Sequence, residues 1–143
     1  MRQQIRDLDD AFTAELSERR SIVGQLLGID YDQLDLSDAD SCLSRMQDAV
    51  DCLEADKMVE LQSLGILFGA LIAQRCELDW VVVKDNYGSD PALRNGTTSQ
   101  LLFPLTMLSK RLERGEPVRV ARLFEMMTTD VERLKNRPWW KFW

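Results

Sequence analysis

The sequence predicts an α+β fold: N-terminal helices, a small three-stranded antiparallel meander over about 78–103, and two C-terminal helices packing on the sheet. Three observations carry this expectation. Apolar residues recur at helical spacing through most of residues 2–75 and again over 105–134. Between these stretches lies Leu78-Asp79-Trp80-Val81-Val82-Val83, which is short, β-branched and aromatic, the composition of a largely buried strand. Turn chemistry then punctuates the chain at Asp85-Asn86-Tyr87-Gly88 and at Asn95-Gly96.

Taken in order, Ile5, Leu8, Phe12, Leu16, Val23 and Leu27 form one stripe and predict a helix over 2–27 closed by Gly28. Residues 29–37 alternate acids with Ile29, Tyr31, Leu34 and Leu36, as expected of a connector docked on helices. Ser37 and Asp38 can cap the next helix, whose stripe is Leu43, Met46, Val50 and Leu53. Lys57 falls where that stripe needs an apolar residue, so a break is expected over 54–57, with Asp56 able to recap. Val59, Leu61, Leu64, Phe68, Leu71 and Ile72 predict a more buried helix to about Arg75. Gly65 and Gly69 lie four apart on it, each costing about 1 kcal/mol relative to Ala. A neighbour packed close against the helix backbone would explain both.

The meander is predicted as Leu78–Val83, a brief strand at Ala92-Leu93-Arg94, a tight turn at Asn95-Gly96 and a return over 97–103. Pro104 suits a first helical turn, where its missing N–H is not needed, and Leu105, Leu108 and Leu112 face inward until Gly115. After Pro117, a last helix turns Val120, Leu123, Phe124, Met127, Val131 and Leu134 inward, and Pro138 stops it. The chain is expected to form a single domain, with an acidic helical region over 1–62, an α+β core over 63–136 and an aromatic tail over 137–143.

Composition excludes several classes. The formal net charge of −6 argues against a general nucleic-acid binder, because phosphates repel an acidic surface. The charge is divided: residues 1–62 hold six Lys/Arg against fifteen Asp/Glu, and residues 63–143 twelve against nine. The acidic front is either a set of solvated helix faces or a surface that docks a basic partner. The longest apolar run, Leu64–Ala73, is about half of a membrane span, so no span is expected. No apolar signal core follows Met1, and Cys42, Cys52 and Cys76 match no zinc spacing. Each cysteine has apolar neighbours and is expected to be buried and free, which suits a reducing, cytoplasmic location. The chain has no histidine, which removes Ser-His and Cys-His pairs and His-based metal sites. No phosphate loop or dinucleotide fingerprint is present, and no cofactor or metal is expected.

Over Leu64 to Phe124 the chain resembles a family of uncharacterised bacterial proteins, the domain of unknown function numbered thirty-eight-oh-six. The matching pieces are Leu64-Gly65, Phe68-Gly69, Leu78-Asp79-Trp80-Val81-Val82-Val83, Asp85, Tyr87-Gly88, Ala92-Leu93-Arg94, Phe103-Pro104-Leu105 and Ser109-Lys110-Arg111-Leu112-Glu113-Arg114-Gly115. The resemblance implies a bacterial source and the order helix, strands, helix. It implies no activity.

Two constellations remain as candidate sites. Asp85, Tyr87, Arg94, Lys110 and Arg111 are polar residues around the predicted sheet, with Glu113 close by in sequence. If Arg94 or Arg111 reaches Asp85, the pair either fixes the sheet–helix register, forms an anion or ligand pocket, or takes part in carboxylate chemistry. Trp139, Trp140, Phe142 and Trp143 crowd the last five residues. So much apolar area is expected to dock, on its own domain, on a protein partner or second copy, or on a membrane surface. A bacterial cytoplasmic, non-catalytic protein-interaction module is the leading expectation, with an immunity-type protein as one concrete version, ahead of a small-molecule or anion-binding domain and a carboxylate-based enzyme.

Overall fold

The structure is a computed structural model and describes residues 4–96 and 100–135. Strand β1 (Gln4–Asp7) is followed by α1 (Asp10–Leu27), α2 (Ala39–Asp51) and α3 (Met58–Cys76). Strands β2 (Asp79–Asp85), β3 (Gly88–Arg94) and β4 (Leu101–Leu102) come next, then α4 (Met107–Glu113) and α5 (Val120–Lys135). Short 3-10 turns at Tyr31–Gln33 and Pro104–Thr106 complete the order. The α+β class holds, with helices on both sides of an antiparallel meander in sequence. Among the described residues no helix is long and apolar enough to cross a membrane.

The sheet corrects the sequence expectation in three places. It has four strands, not three, in the order β1-β2-β3-β4. The added strand takes residues expected to open the first helix: Ile5 lies opposite Val83 and Asp7 opposite Val81. Helical spacing at Ile5 and Leu8 is outweighed by the pairing edge that the valine run offers. Asp9 then sets the helix start, its carboxylate accepting from Phe12 N at 2.9 Å. Finally, the tight hairpin is at Asn86-Tyr87, between Asp85 and Gly88, and not at Asn95-Gly96. β4 rejoins only at Leu101, opposite Arg94, so a longer loop separates β3 from β4. Pro91 sits inside β3 opposite Val82; it is tolerated because β4 reaches only Leu93 and Arg94, leaving Pro91 on an open edge.

Alternation gives the sheet two apolar faces. Trp80, Leu93 and Leu102 lie opposite one another and join the main core. Ile5, Val81, Val83, Ala92 and Leu101 form a smaller cluster on the reverse face. Helix α3 runs through the middle of the main core. From Ser63 to Ile72 every residue is buried, and α1, α4 and α5 pack around it. Phe68 meets Phe124 of α5 edge to face, with ring centres 6.2 Å apart.

The two α3 glycines have the close neighbours that their cost implied. A Cβ on Gly65 would lie 2.5 Å from Pro104 O and 2.7 Å from Leu105 O. One on Gly69 would lie 2.5 Å from Pro104 Cγ and 2.9 Å from Trp80 Cη2. The turn at Pro104–Thr106 is thereby wedged between α3 and β3.

Element ends follow local chemistry. Asp38 caps α2 through Ser41 N at 3.3 Å, as expected, and Gly28 closes α1 at φ 70°. The break before α3 is present, but Lys57 occupies the cap position with no side-chain bond, so Asp56 does not recap the helix. Glu77 ends α3 in a left-handed conformation, φ 55°, which is uncommon for a non-glycine residue, and its backbone N–H donates to Ala73 O. Lys135 Nζ donates to Cys76 O at 2.5 Å beside it, tying the end of α5 to the end of α3. Cys42 and Cys76 are buried thiols, whereas Cys52 is exposed, contrary to expectation, because it is the residue that ends α2 and faces outward.

Candidate functional site

The five polar residues singled out around the sheet occupy separate neighbourhoods. Asp85 and Tyr87 belong to the β2–β3 turn, where Asp85 Oδ1 accepts from Tyr87 N at 2.8 Å. This is a local side-chain turn, and it leaves Tyr87 98% exposed. Arg94 ends β3 opposite Asp79, at the other end of the hairpin from Asp85. Six strand residues separate the two levels, about 20 Å. Lys110 is exposed on α4, and Arg111 is half-buried and turns toward the start of α5, with Glu116 Oε2 3.4 Å away. The geometry therefore brings together Asp85 with Tyr87, and Arg111 with Glu116, but neither pair with Arg94. Trp139, Trp140, Phe142 and Trp143 lie outside the described residues.

Five of the fifteen acids of residues 1–62 fall within eleven residues between the end of α1 and the first turn of α2. Asp30, Asp32 and Asp35 fall in the connection from α1 to α2, Asp38 caps α2 and Asp40 lies in its first turn, and all five are exposed. Their order comes from short-range bonds. Asp30 Oδ1 accepts from Asp32 N at 3.3 Å, and Asp35 Oδ1 accepts from Ser37 N at 3.0 Å and Ser37 Oγ at 2.5 Å. The Ser37 hydroxyl and amide hold the Asp35 carboxyl below the usual carboxylate range, so its charge persists into mild acid. Beneath them, Tyr31 and Leu34 pack against the core, which holds the connector to the helices. Arg20 lies over the Tyr31 ring at 5.4 Å, and burial pushes the phenol up although Arg20 pulls it down. None of the five aspartates forms an ion pair among the described residues.

The buried thiols are not primed for chemistry. Burial raises Cys42, with Asp38 and Asp35 adding to the rise, and burial raises Cys76, with Glu132 adding to it. A thiol held neutral is a poor nucleophile. Among the described residues no group of three or more His, Cys, Asp or Glu is placed to hold a metal ion.

The sequence pattern identified the acidic front as a region but not the connector as its centre. The signal was available, since five aspartates in eleven residues exceed any capping need. It was diluted by the charges of the flanking helices.

Comparison with known proteins agrees with the fold. A crystal structure from Bacteroides thetaiotaomicron VPI-5482 is similar to this chain at a TM-score of 0.71 and 18% identity, over 87% of this chain and 47% of that one. The chain thus spans about half the length of that protein, and the likeness at this identity is one of fold. No curated protein matches the chain. A family model matches residues 40–124, which extends the resemblance back from Leu64 to include α2. The chain belongs to the family described as Domain of unknown function (DUF3806).

Proposed function

We propose that this protein is a non-catalytic interaction module, a single domain that docks a basic protein partner on the connection between α1 and α2. The observation that carries this is the row of five exposed aspartates from Asp30 to Asp40, none in an ion pair among the described residues, of which Asp30, Asp35 and Asp38 are ordered by local bonds. An ordered carboxylate array raises encounter rates with a basic surface and fixes register without an entropy cost at the moment of docking. An immunity-type protein that covers the basic active surface of a toxin is one concrete form. The reading includes a bacterial cytoplasmic setting, with which the free thiols of Cys42, Cys52 and Cys76 are compatible. Trp139, Trp140, Phe142 and Trp143 supply a second contact in this proposal, since tryptophan is enriched among interface anchors.

The test is affinity capture from native bacterial lysate with the whole chain as bait, beside a bait carrying Asp30→Asn, Asp32→Asn, Asp35→Asn, Asp38→Asn and Asp40→Asn. Asparagine keeps the capping bonds and removes the charge. The expected outcome is a stoichiometric partner held by the natural chain, released by raised salt and absent from the neutralised bait. Capture of no stoichiometric partner, a second copy included, or equal capture by both baits would overturn the proposal.

A further inference from the structure

We propose that the groove where α2, α4 and α5 meet binds a small organic anion, a molecule that joins a phosphate or carboxylate to an apolar body. The site is distinct from the acidic connector and does not depend on it.

The groove has a volume of about 710 Å³, the size of a metabolite pocket. Its floor is apolar, built from Val50 and Leu53 at the end of α2, Leu112 of α4 and Val118 before α5. Two guanidinium groups, Arg119 and Arg122, stand on its wall. They also line a smaller adjoining hollow of about 310 Å³ that adds Arg111 and Glu116. Arg119 immediately precedes α5 and Arg122 lies in its first turn, and both line the same groove.

The charges around this groove do not balance. Three arginines face two carboxylates. Glu116 is taken by Arg111 at 3.4 Å, and Asp51 accepts from Gln47 Nε2 at 2.8 Å. Arg119 and Arg122 have no acidic partner among the described residues. Gln47 leaves the Asp51 carboxylate charged, so the lining carries one net positive charge, a local excess of positive potential over an apolar floor in a chain whose net charge is −6. An arginine pair presents forked donors that match a phosphate or carboxylate. The positive end of the α5 dipole falls in the same place and adds to the field.

The groove is also held open by a dedicated residue. Gln47 of α2 donates to Val118 O at 2.9 Å and accepts from Val120 N at 2.9 Å. This clamp fixes the α4–α5 turn against α2, so the arginines project from a rigid corner. The apolar floor then selects an anion with a hydrophobic body over a bare ion.

The test is calorimetric titration of the whole chain with three probes: phenyl phosphate, phenylacetate and inorganic phosphate. The expected result is saturable binding of at least one aromatic probe, with inorganic phosphate at least tenfold weaker. Whichever of phenyl phosphate and phenylacetate binds more tightly assigns the head group. Arg119→Gln and Arg122→Gln should each weaken that probe about tenfold, and the double variant should abolish its binding. Both side chains are exposed, so melting temperature should not move, and a two-dimensional amide spectrum should show probe-dependent shifts at Ala121, Arg122 and Gln47 in the natural chain. Arg133→Gln, eleven residues further along α5 and about 16 Å away, should bind as the natural chain does. The proposal is overturned if no probe saturates, if inorganic phosphate binds as tightly as the aromatic probes, or if the double variant binds unchanged.

Discussion

Replacing Gly65 with Ala opposes two effects of similar size, and the structure decides between them. Alanine in a helix interior gains about 1 kcal/mol over glycine. The added Cβ, however, meets Pro104 O at 2.5 Å and Leu105 O at 2.7 Å. The closest favourable carbon–oxygen contacts are about 3.3 Å, so the nearer overlap is about 0.8 Å. Both obstacles are backbone carbonyls of the turn wedged against α3, where only Pro104 is buried, and they cannot rotate aside as a side chain can. Overpacking costs about 1–3 kcal/mol, and two fixed carbonyls put Gly65 near the top of that range. The net loss is then about 1–2 kcal/mol, a fall in melting temperature of about 3–8 °C for a chain of this size. Thermal melts and urea midpoints at unchanged slope measure it. A Gly65→Ala variant as stable as the natural chain, or more so, would refute the close approach. Gly69 provides the contrast, because its obstacles are the Pro104 ring and Trp80 Cη2. Pro104→Gly removes the ring and keeps the carbonyls. A double-mutant cycle should therefore show that it relieves Gly69→Ala and does not relieve Gly65→Ala.

Two further perturbations test the packing. Gln47→Ala removes bonds to Val118 O and Val120 N, leaving the amide of a fully buried Val120 without that partner. A loss of about 1–3 kcal/mol in urea unfolding is expected, and a loss under about 0.5 kcal/mol would show that the clamp is dispensable. Stability should also fall at alkaline pH. Burial raises Cys42 and Cys76 above the ordinary thiol value of 9.0 and Tyr31 above 10.0. A group raised in the folded state contributes stability that is intact below its unfolded value and is lost as pH climbs through its folded one. Melting temperature should therefore drop as pH rises above 9, and Cys76→Ala should make that drop shallower. An identical pH slope in both chains would count against a buried, neutral Cys76.

Much of the fold was legible because its signals are local. The stripes of α2, α3 and α5, the break over 54–57 and the valine strand all appear in the right order. Gly65 and Gly69 even announced a tertiary contact, because a helix carries two glycines at a cost only where something fills the space. The failures are equally physical. Gln4–Asp7 carries too few residues to distinguish a helical stripe from a strand, and only the open edge of β2 decides it. Asn95-Gly96 has the composition of a tight turn, but register is fixed by Trp80 and Leu93 meeting on the core face, and that leaves the two-residue turn at Asn86-Tyr87.

The site was less legible because charges acquire meaning from neighbours far away in sequence. Asp85 and Arg94 read as partners when β3 is given three residues; at its full seven they stand at opposite ends of the hairpin. Arg111 finds Glu116 instead, and the groove above it depends on Gln47, more than sixty residues earlier. The local hint was the run of Arg111, Arg114, Arg119 and Arg122 in an otherwise acidic chain. Helix α2 links the two charged surfaces. Asp38 and Asp40 lie at its N-terminal end, and Arg119 and Arg122 stand near Asp51 and Leu53 at its C-terminal end, an arrangement that its dipole favours at both ends. That favour amounts to about 0.3–1 kcal/mol per charge and fades within one turn of each end. It accounts for Asp38 and Asp40, which sit on the first turn. It does not account for Asp30, Asp32 and Asp35 further up the connector, nor for Arg111 across the groove. The acidic charges in excess of the dipole are Asp30, Asp32 and Asp35, and neutralising only those, while keeping Asp38 and Asp40, should spare the fold and weaken capture of the basic partner.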